Sequence, residues 1–136
     1  MTLSEIEAYC LTKTGAYLDF PFGPDVTIIK VKAPSQVKGR IFAQLFMLRG
    51  EPKVTLSCDM MTGEFYRAVY PGTVRRGYHC PPIQQPYFNT IALDGIVPDD
   101  NLIEMIEHAY KAVVCKLPKK HQKELESVGF KACQTN

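Results

Sequence analysis

The side chains of this sequence with chemistry to offer are cations, and they are bunched. Between positions 30 and 53 stand Lys30, Lys32, Lys38, Arg40, Arg49 and Lys53, with Glu51 as the one carboxylate in that stretch. The whole chain carries sixteen Lys and Arg against fourteen Asp and Glu, a formal charge of +2, so the positive charge is local rather than general. A hairpin bearing such residues at its tip can follow a phosphate backbone, each neutralised phosphate adding salt-dependent affinity by counterion release. The plainer account is that turns between apolar strands are solvated and that edge lysines deter aggregation. A second group, Arg75-Arg76-Gly77-Tyr78-His79, sets two guanidiniums and an aromatic ring on an expected strand, whose alternation lets one of the two arginines face a ligand. There Tyr78 would stack or pack, and His79 would donate a hydrogen bond to phosphate or else satisfy a backbone carbonyl. The third group, Lys111, Lys116, Lys119, Lys120, Lys123 and His121, is expected to be structural, its cations complementing a helix C-terminus by about 0.3–1 kcal/mol each.

Covalent and metal chemistry have no comparable concentration. There is no Gly-x-Ser-x-Gly, no phosphate-binding glycine loop and no cluster of His and Asp at ligand spacing, so no enzyme, cofactor or metal is expected. Cys10, Cys58, Cys80, Cys115 and Cys133 are odd in number and contain no Cys-x-x-Cys pair, which suggests free thiols in a reducing compartment rather than a disulfide framework. His79 and Cys80 are neighbours in sequence, but a catalytic Cys and His meet in space rather than by adjacency, and Pro81 follows at once. Glu5 and Glu7 interrupt the N-terminal stretch, and no apolar run approaches the roughly 20 residues that span a bilayer. A soluble, cytoplasmic protein with no membrane partner is expected.

These side chains need a scaffold, and 136 residues with 46% apolar content suit one domain, expected over 1–128, with 129–136 as a fraying tail. A helix capped by Ser4 is expected over residues 4–14. Leu18 to Asp25, with its prolines, reads as an irregular arm that packs Phe20 and Phe22 onto a core. Val26–Val31, Ile41–Leu48 and Lys53–Ser57 read as three antiparallel strands separated by turn-formers. Asp59 can cap a helix to about Tyr70, with Met61, Phe65, Ala68 and Val69 on one face and Gly63 weakening it by about 1 kcal/mol. Thr73–His79 and Phe88–Leu93 read as strands joined by an uncharged loop, Cys80 to Pro86. Pro98-Asp99-Asp100 opens the strongest helix, whose stripe Leu102, Ile106, Ala109 and Val113 suits packing on a sheet. Pro118 stops it, and a short basic helix follows. The order predicts a two-layer α+β fold, an antiparallel sheet of about five strands covered by helices.

Several motifs along this frame resemble the MmcQ/YjbR-like family. They are Ala8-Tyr9-Cys10-Leu11 with Gly15-Ala16, then Pro21-Phe22-Gly23-Pro24-Asp25, then Leu56 to Asp59. They continue through Tyr70-Pro71-Gly72, Gly77-Tyr78-His79, Asn89-Thr90 and Leu93-Asp94-Gly95 to Ala109-Tyr110 and Lys116-Leu117-Pro118-Lys119-Lys120. The resemblance implies a small YjbR-like α/β domain, a cytoplasmic bacterial protein, and DNA binding through two β-hairpin wings without catalytic residues or cofactor; the antiparallel sheet with an exposed face is separately similar in layout to small secretion-chaperone-like domains. The resemblance departs after His79, where the family tends to carry a basic stretch and a His-Trp pair; here the segment is uncharged and Tyr87-Phe88 stands in that place.

Two functions are therefore expected to compete. The first is sequence-tolerant contact with duplex DNA through Lys30, Lys32, Lys38, Arg40, Lys53, Arg75, Arg76 and His79. The second is a protein-protein interaction through the Pro81 to Phe88 loop, exposing Ile83, Tyr87 and Phe88.

Overall fold

The computed structural model describes residues 1–78 and 80–130. The elements in chain order are α1 (Leu3–Leu11), β1 (Ala16–Asp19), β2 (Val26–Val31), β3 (Arg40–Leu48), β4 (Glu51–Ser57), α2 (Met60–Val69), β5 (Val74–Arg76), β6 (Phe88–Ala92), α3 (Asp99–Val114) and α4 (Lys119–Ser127). A single 3-10 turn, Gln85–Tyr87, leads into β6. The strands form one antiparallel sheet in the order β1-β2-β3-β4-β6-β5. The fold is α+β, with six strands rather than about five. The additional strand is β1, four residues long, which occupies the start of the expected irregular arm and pairs Tyr17 with Lys30.

Register sorts the side chains into two faces. Ile29, Ala43 and Leu56 lie on one rung, and Leu45, Val54, Ile91 and Val74 on the next; all seven are buried. The α3 stripe Leu102, Ile106, Ala109 and Val113 closes this face as its helical spacing requires, joined by Ile6 and Cys10 of α1. Burying each large aliphatic here contributes roughly 1.5–3 kcal/mol. Tyr110 of α3 meets Phe42 edge-on at 5.7 Å and Phe130 at 5.6 Å, so the packed interior extends to Phe130, inside the segment expected to be a tail. The opposite face carries Gln44, Thr55 and Thr90, then Phe46, Lys53 and Ala92. Thr55 and Thr90 share a hydroxyl hydrogen bond of 2.7 Å, and the Tyr78 ring stacks on Phe46 at 6.2 Å.

Some expectations fail for local reasons. The cap of α1 is Thr2, not Ser4: its hydroxyl accepts from the Glu5 amide while the Glu5 carboxylate accepts from the Thr2 amide, a reciprocal capping box. Phe20 and Phe22 are exposed, not packed on the core. Pro52 lies within β4 rather than in a turn, opposite Met47, with its carbonyl accepting from the Leu93 amide.

Candidate functional site

The β3–β4 connection is a two-residue hairpin, Arg49-Gly50, and both residues have positive φ, 52° and 81°. That is the geometry that matches the right-handed twist of the flanking strands. Glycine adopts it freely, whereas Arg49 holds a left-handed conformation that costs a non-glycine residue about 1–2 kcal/mol. The turn places Arg49 at the tip and returns the chain so that Lys53 faces away from the helices, on the rung of Phe46.

Two strands across, β5 supplies Arg75 opposite Thr90 and Arg76 opposite Asn89. Alternation puts Arg75 on the face of Lys53 and Thr90 and Arg76 on the other face, but on this edge strand both arginines, not one, border the same cavity. Arg75 Nε donates to the Gly72 carbonyl at 2.9 Å, which fixes the guanidinium without consuming its two terminal nitrogens. Arg49, Lys53, Arg75 and Arg76 line one cavity of about 320 Å³, floored by Tyr78, Thr90 and Ala92, and no Asp or Glu is among its lining residues. The nearest carboxylate partner is Glu51, 3.6 Å from Lys53; the carboxylate is well exposed although the Lys53 side chain is largely buried, so among the described residues Lys53 alone of the four cations has part of its charge met. The site therefore keeps most of its positive charge for a ligand.

The other expected cations lie elsewhere. Arg40 begins β3 and Arg49 follows its end, so the strand separates them by up to about 30 Å at roughly 3.3 Å per residue. Lys30 is bound to Asp19 at 2.7 Å, an ion pair across β1 and β2 that holds the Asp19 carboxyl below its usual range. Lys32 lies 5.2 Å over the Tyr17 ring. The Lys38 carbonyl accepts from Gln36, within the loop before β3. The expected group of eight thus does not form one surface. Lys53, Arg75 and Arg76 converge, joined by Arg49, while Lys30, Lys32, Lys38 and Arg40 sit on the strands and loop at the other end. His79 lies outside the described residues. Arg49 stood in the basic segment without being singled out; its signal was the Arg-Gly pair at the tip of a hairpin. In the third basic group, Lys111 occupies the last turn of α3 as expected, but Lys119 and Lys120 open α4, the end where the macrodipole disfavours cations.

The residues of the competing reading are also partly displayed. Ile83 is 83% exposed and Tyr87 39%, whereas Phe88 is half-buried as the first residue of β6, opposite Ser57. The face of α2 named from its spacing is also displayed. Met61, Phe65 and Val69, at i, i+4 and i+8 of α2, are all exposed. Helix α2 instead approaches the sheet through Gly63, where a Cβ would lie 2.7 Å from Cys58 Sγ and whose carbonyl accepts from Asn89. The glycine that weakens the helix is what allows the contact.

Cys10, Cys58 and Cys80 are free, whereas Cys115 is disulfide-bonded, which corrects the expectation of free thiols throughout. Burial pushes the Cys10 thiol up to about 12 and that of Cys58 to about 11, so both stay protonated at neutral pH. Among the described residues, no group of three or more His, Cys, Asp or Glu could hold a metal ion, and no helix is long and apolar enough to cross a membrane.

Comparison with known proteins places this architecture. Residues 11–112 match the YjbR family model. The chain belongs to the YjbR family. It is 28% identical over 125 residues to the "Uncharacterized protein YjbR" of Escherichia coli K12, covering 92% of this chain and 98% of that protein. The crystal structure of Deinococcus radiodurans protein DR2400, which carries domain DUF419, superposes with a TM-score of 0.81 at 28% identity over 92% of this chain and 88% of that one. A Pseudomonas syringae protein of known structure shares the fold at a TM-score of 0.65 and 15% identity, covering 83% of this chain and 99% of that one. The YjbR fold thus accounts for nearly the whole chain, including both strands that carry the hairpin cations.

Proposed function

We propose that this YjbR-family protein is a non-enzymatic DNA-binding module that grips the duplex backbone with the β3–β4 hairpin and the β5 edge. The observation that carries the reading is the convergence of Arg49, Lys53, Arg75 and Arg76 on one cavity lined by no carboxylate. Fixed guanidiniums suit phosphate, which they can meet with two parallel hydrogen bonds. The long amphipathic helix α3 is committed to the core, and the cavity's cations stand on strands and a turn rather than on a helix, so any sequence preference of this site would come from groove shape.

Anisotropy of a labelled duplex at low and moderate salt tests this. Three to four phosphate contacts predict a log–log salt slope of about −3 to −4. Replacing Arg49, Arg75 and Arg76 together by Ala should flatten the slope by about 3 and abolish binding at moderate salt. No binding at low salt, or an unchanged slope in the variant, contradicts the reading.

A second reading, a protein-protein interaction surface, is favoured by the exposed stripe Met61, Phe65 and Val69 together with Ile83. Exposed apolar rows of this kind are features of partner-binding surfaces. It would be supported by a partner whose capture is lost on Phe65→Ser and Ile83→Ser but retained in the triple arginine variant.

A further inference from the structure

A second cavity, of about 370 Å³, opens where the start of β3 meets the end of α3, at the end of the sheet remote from the hairpin tip. Its volume falls in the range of small-molecule sites, roughly 300–1,000 Å³. Ile41, Phe88 and Val113 give it apolar walls, and Arg40 and Lys116 contribute from different elements. The cavity has no carboxylate among its lining residues. The charge of Lys30, which also lines it, is taken by Asp19. Arg40 and Lys116 have no carboxylate within 4.0 Å among the described residues. Lys116 lies 5.3 Å over the Tyr87 ring, an arrangement that holds the ammonium at the rim. The Ser57 hydroxyl is spent on the Ile41 carbonyl at 3.2 Å, so recognition of a polar group falls to the two cations.

Two unneutralised cations beside apolar walls favour one chemical class. We propose that this cavity binds a small anion with a compact apolar body, an aryl carboxylate or aryl phosphate. The anionic group would bridge Arg40 and Lys116, the guanidinium meeting it through paired hydrogen bonds and the ammonium as a point charge. The ring would sit against Phe88 and Val113. A duplex backbone brings no apolar body into such a cavity, and the residues are separate from the hairpin cations, so this site stands or falls independently of the DNA reading.

Amide NMR titrations of the full chain test it with phenyl phosphate, benzoate, inorganic phosphate and benzyl alcohol. Saturable shifts are expected at Arg40, Ile41, Val113 and Lys116 with phenyl phosphate or benzoate, and the tighter of the two identifies the anionic group. Inorganic phosphate lacks the body and benzyl alcohol the charge, so each should bind at least tenfold more weakly. Arg40→Gln and Lys116→Met should each weaken binding about five- to tenfold, and Lys116→Arg should restore it. Both cations are exposed, and the same spectra report whether each variant is folded. The proposal is overturned if neither aryl anion shifts these amides up to about 10 mM, if benzyl alcohol binds equally well, or if the folded variants bind like the parent.

Discussion

The two ends of the sheet use the same residue types differently. At the β1–β2 side of one end, Lys30 is ion-paired with Asp19 of the neighbouring strand and Lys32 lies over the Tyr17 ring; a carboxylate meets the charge of Lys30, and the ring holds Lys32 without neutralising it. At the hairpin end, Arg49, Lys53, Arg75 and Arg76 line a cavity that no carboxylate lines, and among the described residues only Lys53 of the four has a carboxylate partner, Glu51 at 3.6 Å. A cation's availability is decided by what register and turn geometry place beside it, not by how many cations share its stretch of sequence.

The strongest way to break this comparison is to exchange the ends. Arg75→Ala with Arg76→Ala should weaken duplex binding by one to two orders of magnitude at about 0.1 M salt, with thermal stability changing by no more than about 0.5 kcal/mol. Lys30→Ala with Lys32→Ala should leave duplex binding within about twofold in the same anisotropy titration. Equal losses from the two pairs would erase the distinction.

A smaller effect sharpens it at one residue. Asn tolerates the left-handed conformation and Asn-Gly is a favoured pair for this turn. Arg49→Asn should therefore raise stability by about 0.5–1 kcal/mol in urea unfolding while lowering duplex affinity several-fold. Opposite signs in the two measurements would separate a residue kept for its charge from one kept for the turn.

The smallest effect concerns the ion-paired cation. Hydrogen bonds from Lys30 and from the Phe20 amide hold the Asp19 carboxyl below its ordinary range. Its folded value lies below its unfolded one, so the pair's stabilisation is present above the unfolded pKa, about 3.9, and fades as pH falls through the folded value. In a carbon-detected titration, Lys30→Ala should move Asp19 back toward about 3.9. An Asp19 midpoint indifferent to Lys30 would remove the ion pair from the account.

Much of the fold was legible because periodicity and punctuation agreed. The stripe of α3, the Asp59 cap of α2 and the limits of β2 follow from spacing and from residues with definite cap or turn chemistry. Strand β1 escaped because four residues beside two prolines carry little pattern, and they become a strand through pairing with β2. The exposure of the α2 face escaped for the reverse reason. Met61, Phe65 and Val69 have the spacing of a buried stripe, yet close approach at Gly63 turns them outward. Arg75 and Arg76 could be named from sequence, but not their meeting with Arg49 and Lys53, which depends on β6 lying between β4 and β5.

The most direct test is an amide NMR titration of the isotope-labelled protein with an unlabelled duplex at low salt. The account predicts that the largest shifts fall on Arg49, Gly50, Lys53, Arg75 and Tyr78, and that they collapse as salt is raised. Shifts centred on Arg40, Lys30 and Lys116, or none at low salt, would contradict it.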